Sequence, residues 1–268
     1  MKAVRLVALA VFRESVRDRV PLTIVGFGVL LVVASSLIGQ MTAGQDLKII
    51  KDLGLAALNL LGLLIAVFIG IGLVAKEVER RSIYSLLSRP LTREQFILGK
   101  FLGLVMTLAV NLAAMCLAFY LVLLYQQMKV PAAQQQVWPA PAMDPRLLIA
   151  IVLIFGELMI VTAIALFFST FAGPMTAVLL TLALWIIGRF NADLRQFEEV
   201  MQAPVAVYLA KAAYYVLPNL APFDVKAEVV HGVTVSGSHV SLTLAYAVIY
   251  VAIVLLAAIA VFRRRDFK

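Results

Sequence analysis

Long apolar runs broken by short charged stretches dominate the chain. Six of them are read as membrane-spanning helices: Pro21–Ile38, Leu53–Ala75, Phe101–Tyr125, Leu147–Phe168, Pro174–Ile187 and Leu242–Phe262. All but the fifth come close to the ~20 residues that a bilayer core requires. Arg189 limits the fifth. The stretch Ala203–Leu217 is too short and, with Lys211, too polar for a seventh span. It is expected to be a re-entrant or interfacial helix, with Tyr208, Tyr214 and Tyr215 at headgroup depth and Pro218 and Pro222 ending it. Ahead of the first run, Ala3–Val20 reads as a helix lying at the membrane interface, its apolar and basic faces imperfectly separated. About twenty residues with five basic charges precede that run, which fits a spanning helix better than a cleaved signal peptide.

Composition narrows the class further. Of 268 residues, 63% are apolar and 14% charged, which excludes a soluble enzyme, a disordered chain and a nucleic-acid-binding domain. The net charge of +8 is distributed unevenly. With the N-terminus inside, fifteen of the 23 Lys and Arg residues fall on the inner side, in segments 2–19, 76–100 and 263–268. The other eight are spread over longer outer loops, so both termini are expected in the cytoplasm. The loop Gln126–Pro145 reads as an extracytoplasmic connector, and no internal repeat is visible.

Catalytic signatures are missing. There is no G-x-x-x-x-G-K-[ST], H-E-x-x-H or G-x-S-x-G, and no pair of aspartates lies within the spans. Cys116 is the single cysteine, so neither an intrachain disulfide nor a cysteine zinc site is expected. His231 and His239 have no cysteine partner nearby, and Gly237-Ser238-His239 lacks a third catalytic group. The chain is expected to have no nucleotide site, catalytic residue, metal or cofactor of its own.

The segment Lys76–Lys100 is the most densely charged. Ile83, Leu86 and Leu87 follow helical spacing, Pro90 ends that helix, and Thr92-x-x-Gln95 forms a capping box for a new helix running into the third span. One reading is a solvated connector carrying inner-face charge. The other is a docking element for a cytosolic motor, rigid, charged and continuous with two spans.

The residues Glu77–Gly103, with Glu-Arg-Arg-Ser-Ile-Tyr-x-Leu-Leu-x-Arg-Pro-Leu-Thr-Arg-x-x-Phe-x-Leu-Gly-Lys-Phe-Leu-Gly, resemble the permease subunits of the ABC-2 transporter family. They are most similar to the six-span permeases encoded apart from their ATPase, among them the nitrous-oxide-reductase maturation permease. Phe12–Arg19 resembles the same group. The resemblance implies an all-α, six-span permease fold of the type V exporter kind, forming one domain over residues 1–268. Residues 1–20 would be the elbow helix, 76–99 the cytoplasmic coupling loop and 189–241 the extracytoplasmic re-entrant region. It implies two ATPase subunits that bind ATP and Mg, and a second permease copy or a related permease. It also implies membrane lipid around the complex and room for an extracytoplasmic accessory protein, in a bacterial inner membrane and without nucleic acid. Contacts to the ATPase would come from Glu77, Glu79, Arg80, Arg81, Ile83, Tyr84, Leu87, Arg89 and Pro90. Export of a lipid-like or amphipathic cargo, or of copper- or sulfur-related cargo for an extracytoplasmic maturation system, is consistent with it. An ATP-independent channel or secondary carrier and a non-transporting scaffold subunit are the alternatives. A carrier should show several intramembrane charges or an inverted repeat.

Glu157 lies near the middle of the fourth span, where a carboxylate must face protein or water, or be protonated. It is either a polar site in the transport path or a neutral group hydrogen-bonded to a neighbouring helix, with Asn59 and Asn111 as candidate partners. No basic partner is apparent for it, and a lone carboxylate makes a poor proton relay. Gly62, Ala66 and Gly70 form a small-residue ridge expected to pack closely on another helix.

Overall fold

The computed structural model describes residues 2–17, 23–30, 33–34, 46–79, 92–131, 135, 138, 140–190 and 217–264. Among them there are helices and connections but no strand. In chain order, α1 is Lys2–Arg17, α2 Asp46–Glu79, α3 Arg93–Lys129, α4 Arg146–Ser169 and α5 Pro174–Arg189. A 3-10 turn at Ala221–Phe223 and the short α6 (Lys226–Val230) lead into α7 (Gly237–Arg264). Four helices are long and apolar enough to cross a membrane, namely α2, α3, α4 and α7, with α5 a shorter apolar helix. Of the first expected span, only 23–30 and 33–34 are described, and both are helical.

Helix boundaries differ from the apolar runs because a helix does not stop where hydrophobicity does. α2 begins seven residues before Leu53, and α3 starts at Arg93 rather than Phe101. The start of α3 is fixed by the expected capping box. Thr92 Oγ1 accepts from the Gln95 backbone N–H at 3.3 Å, and Gln95 Oε1 accepts from the Thr92 N–H at 3.3 Å. Two of the helix's unpaired donors are thereby satisfied.

α2 and α4 form the centre. In each, 72% of the most apolar window is buried, against 22% in α7, which leaves most of its surface for lipid or another chain. Lipid tails are as apolar as leucine, so this centre is held by close packing rather than by exclusion of water. The ridge on α2 meets α4 face to face. A Cβ on Gly62 would lie 2.5 Å from Leu158 Cδ1, and one on Gly70 would lie 3.1 Å from the Ala165 Cβ. Thr162, between these two, donates its hydroxyl to the Leu158 carbonyl of its own helix at 2.7 Å, so the polar atom is satisfied without a partner helix.

The second close approach involves α1, whose Val4, Ala8, Val11 and Ser15 stripe turns inward. α1 is seated on α3 through Gly99 and Gly103. A Cβ on Gly103 would stand 2.7 Å from both the Ala8 carbonyl oxygen and the Val11 Cβ, and one on Gly99 would stand 2.6 Å from the Val7 Cβ. The Leu-Gly-Lys-Phe-Leu-Gly stretch is therefore a helix seat. At the opposite end of the bundle, side chains fasten the connections. Lys51, almost fully buried, donates to the Pro141 carbonyl at 2.8 Å. Tyr120 donates to the Asp144 carbonyl at 3.2 Å, and Arg146 to the carbonyl of Gly232, which adopts φ 76°.

Gly103→Val should detach α1, at a cost of about 1–3 kcal/mol from overpacking. Maleimide labelling at Ala8→Cys should rise in that background. Gly72→Ala, whose Cβ meets nothing within 4 Å, is the control and should leave labelling unchanged.

Candidate functional site

α4 and α5 form an antiparallel hairpin whose turn passes through Gly173, the N-cap position of α5. Helices rise by a constant amount per residue, so positions equally far from the turn reach the same height. Glu157 lies 12 residues before the last residue of α4 and Arg189 15 residues after the first of α5, so their backbones differ in height by about 4.5 Å, a gap that the long arginine side chain covers. The hairpin register therefore sets a carboxylate opposite a guanidinium near the middle of α4. The two side chains meet, with Arg189 Nη2 donating to Glu157 Oε2 at 3.0 Å.

Three further donors and acceptors complete the arrangement. Asn59 Nδ2 on α2 donates to Glu157 Oε2 at 3.0 Å, while its Oδ1 accepts from Arg189 Nη2 at 2.9 Å. The three side chains thus close a ring. Trp185 Nε1 donates to the other carboxylate oxygen at 2.8 Å. Trp185 lies one turn before Arg189, and its indole ring has the guanidinium carbon 5.4 Å from its centroid. Glu157 is wholly buried, so its charge must be balanced internally. It is: one cation and two neutral donors surround it.

Arg189 also reaches out of the hairpin. Its Nη1 donates to Asp224, which pairs in turn with Lys226 at 3.2 Å. Asp224 lies in the connector between α5 and α7, outside the spanning helices. Burial would raise its pKa, but Lys226 and Arg189 outweigh burial and hold the carboxyl below its ordinary value of 3.8. The connector presses onto the hairpin at two glycines that adjoin the charged residues. A Cβ on Gly156 would lie 3.1 Å from the Phe223 ring, and one on Gly188 would lie 2.9 Å from the Pro218 carbonyl oxygen. Leu220 N–H donates to the Gly188 carbonyl at 2.9 Å. From the other side, Tyr246 on α7 accepts the Asn219 N–H at 2.8 Å, and the Pro222 carbonyl lies 2.9 Å from His239 Nε2. α5, at 16 residues, spans only about 24 Å, and this connector fills the space beside its end.

The expected site residues are thus placed apart. Asn59 joins Glu157, whereas Asn111 donates to the Thr107 carbonyl of its own helix at 2.9 Å. The expectation that Glu157 lacks a basic partner is corrected, because Arg189 is that partner. The sequence pattern makes Arg189 an outer charge that limits the fifth span, whereas the structure turns it into the hairpin. Trp185 and Asp224 were not singled out at all. The signal in the sequence is a carboxylate and a guanidinium, each preceded by glycine, on two consecutive apolar helices: Gly156-Glu157 and Gly188-Arg189. The expected ATPase contacts Arg80, Arg81, Ile83, Tyr84, Leu87, Arg89 and Pro90 lie outside the described residues, as do the side chains of Glu77 and Glu79. Ser238 pairs with Ser236 at 2.7 Å rather than with His239, so no serine–histidine couple forms there.

Arg189→Ala strands a buried carboxylate and should cost about 3–5 kcal/mol. Glu157→Gln should cost less, because glutamine still offers Asn59 or Trp185 an acceptor. A double-mutant cycle on unfolding midpoints in detergent should show coupling of about 0.5–3 kcal/mol. The Asp224 pKa is lower in the folded chain than in the unfolded one, so its stabilisation is present above the unfolded value of 3.8 and fades as pH falls through the folded value. Acid weakening of the connector should therefore begin only below about pH 4, and it should be absent from Asp224→Asn when amide exchange at Leu220 and Phe223 is followed.

The geometry is that of a polar bridge across membrane helices, without a nucleophile–base couple. Among the described residues, no group of three or more His, Cys, Asp or Glu could hold a metal ion. No curated protein was found to match the sequence. The family model for ABC-2 family transporter proteins matches residues 7–267, almost the whole chain. An all-α chain of apolar spans with that match belongs to the ABC-2 transporter family, as a multi-pass membrane subunit of an ABC transporter.

Proposed function

We propose that the chain is the permease of an exporter driven by a separate ATPase, working as a pair of permeases on two ATP-binding subunits in a bacterial inner membrane. Family membership supports an ABC ATPase partner. The segment 76–91, between two membrane helices and followed by the firmly capped start of α3, is the docking element in this reading. ATP and Mg are bound by the partner, and this chain supplies the path and the moving parts.

The observation that carries the transport role is the buried Glu157–Arg189–Asn59 ring. It ties α2, α4, α5 and the connector together at one level. Opening a route between these helices requires the ring to break and re-form. A paired charge suits that task, because the closed state buries no uncompensated ion and the open state exposes both charges to water or cargo. Apart from this ring the spans are largely apolar in sequence, which fits an amphipathic or lipid-like cargo better than a free ion. The partly exposed Asp224 and Lys226 at the rim offer both signs of charge to a polar headgroup.

The same intramembrane pair is the feature that a secondary carrier would display. Energy source separates the two readings. Arg81→Glu and Tyr84→Ala, in permease co-purified with its ATPase, should lower permease-stimulated ATP turnover on the order of tenfold, equivalent to about 1.4 kcal/mol. Full stimulated turnover together with full partner binding would remove segment 76–91 from the coupling role. Activity that persists in vesicles without ATP would favour the carrier.

A further inference from the structure

We propose that Arg93 is a positioning residue that fastens the first turn of α3 to the last turn of α7, so that both helices receive a displacement of segment 76–91 as one body. The inference rests on the docking role proposed for that segment.

The last carbonyls of a helix have no partner in their own helix. Near the end of α7 the carbonyls of Phe262 and Arg263 are bound by a side chain from another helix. Arg93 Nη1 donates to the Phe262 carbonyl at 3.0 Å and to the Arg263 carbonyl at 2.9 Å. The guanidinium carbon lies 5.9 Å from the Phe262 ring centroid, and Phe96, one turn along α3, stacks on that ring at 6.0 Å. Glu94 pairs with Arg263. The charges suit the helix dipoles at both ends: a cation meets the C-terminus of α7, and a carboxylate occupies the first turn of α3. Arginine fits the place better than lysine, because its planar fork can bind carbonyls and stack on a ring together.

Position gives the joint its consequence. The Thr92 capping box fixes where α3 begins, so Arg93 is the first helical residue after the proposed docking element. α7 then runs to Tyr246, 17 residues from Arg263 and about 26 Å away. There the Tyr246 hydroxyl accepts the Asn219 N–H, and its ring lies 6.4 Å from Phe223. Phe223 covers Gly156, next to Glu157. A displacement at the start of α3 is thereby delivered along α7 to the connector that seals the ion pair. α2 is the other route out of the docking element, and it meets the pair directly through Asn59.

The test uses Glu94→Cys with Arg263→Cys in a Cys116→Ser background, which removes the single native cysteine. Disulfide formation with copper phenanthroline is measured in the permease alone, and in the ATPase complex both nucleotide-free and trapped with ATP and vanadate. Equal cross-linking in the two states of the complex is expected. Arg93→Ala should lower cross-linking about tenfold, the factor corresponding to about 1.4 kcal/mol, close to the lower end for a hydrogen bond to a charged group. Arg93→Lys should recover part of it. Helix content by circular dichroism confirms that the variants fold. Cross-linking in only one state of the complex, or cross-linking indifferent to Arg93→Ala, overturns the proposal. Failure of the ATPase to bind the permease overturns the docking reading instead, and the measurement on the permease alone then decides whether Arg93 fastens the two helices.

Discussion

A charge buried among membrane helices has to be balanced where it stands, and the Glu157–Arg189 pair is the constraint around which the centre of this protein is arranged. Glu157 is out of reach of water and Arg189 is only 17% exposed, so protein groups must supply most of the solvation. Each partner recruits others: Asn59 from α2, Trp185 from the same face as Arg189, and Asp224 from the connector. The glycines beside the pair follow from the same need. A side chain at 188 would press on the Pro218 backbone and one at 156 on the Phe223 ring, so glycine at both positions lets the connector lie close over the charges.

This arrangement joins stability to function at one place. Apolar helix packing in lipid is weakly directional, and many registers have similar energy. An ion pair with geometric donors selects one of them. In the proposed transport cycle the same bonds are exchanged when helices part, and a geometric ion pair favours two discrete states over gradual deformation. The small-residue ridge on α2 and the seat for α1 on α3 have the opposite character. Gly62 lies tight against Leu158 and Gly103 tight against the Ala8 carbonyl, which leaves little room for one helix to slide on the other.

The two ends of the bundle are built differently. At the Lys51 end, long side chains bind loop carbonyls and the connections lie folded against the helices. At the Arg93 end, helix termini bind one another through Arg93, Glu94, Phe96 and Arg263. A joint between helix termini carries force along the helix axes, whereas a loop held by a side chain can be displaced locally. That difference suits the proposed drive by an ATPase at one face.

By itself the sequence determined the membrane class, the all-α architecture, the boundaries of the fourth and fifth spans, the capping box at Thr92 and the small ridge on α2. These are local properties: run length, residue size and short-range capping report directly on one helix and its immediate contacts. The family resemblance was carried by the stretch from Glu77 to Gly103, and its Gly99 and Gly103 prove to be the seat of α1. Only the tertiary structure decided what Glu157 does. Its partner stands 32 positions away, on a helix where an arginine looked like a boundary. Asn111, equally polar and also within a span, turned to its own backbone. Choosing between Asn59 and Asn111 depends on which helix faces meet, and apolar periodicity in a chain surrounded by lipid does not mark the inward face.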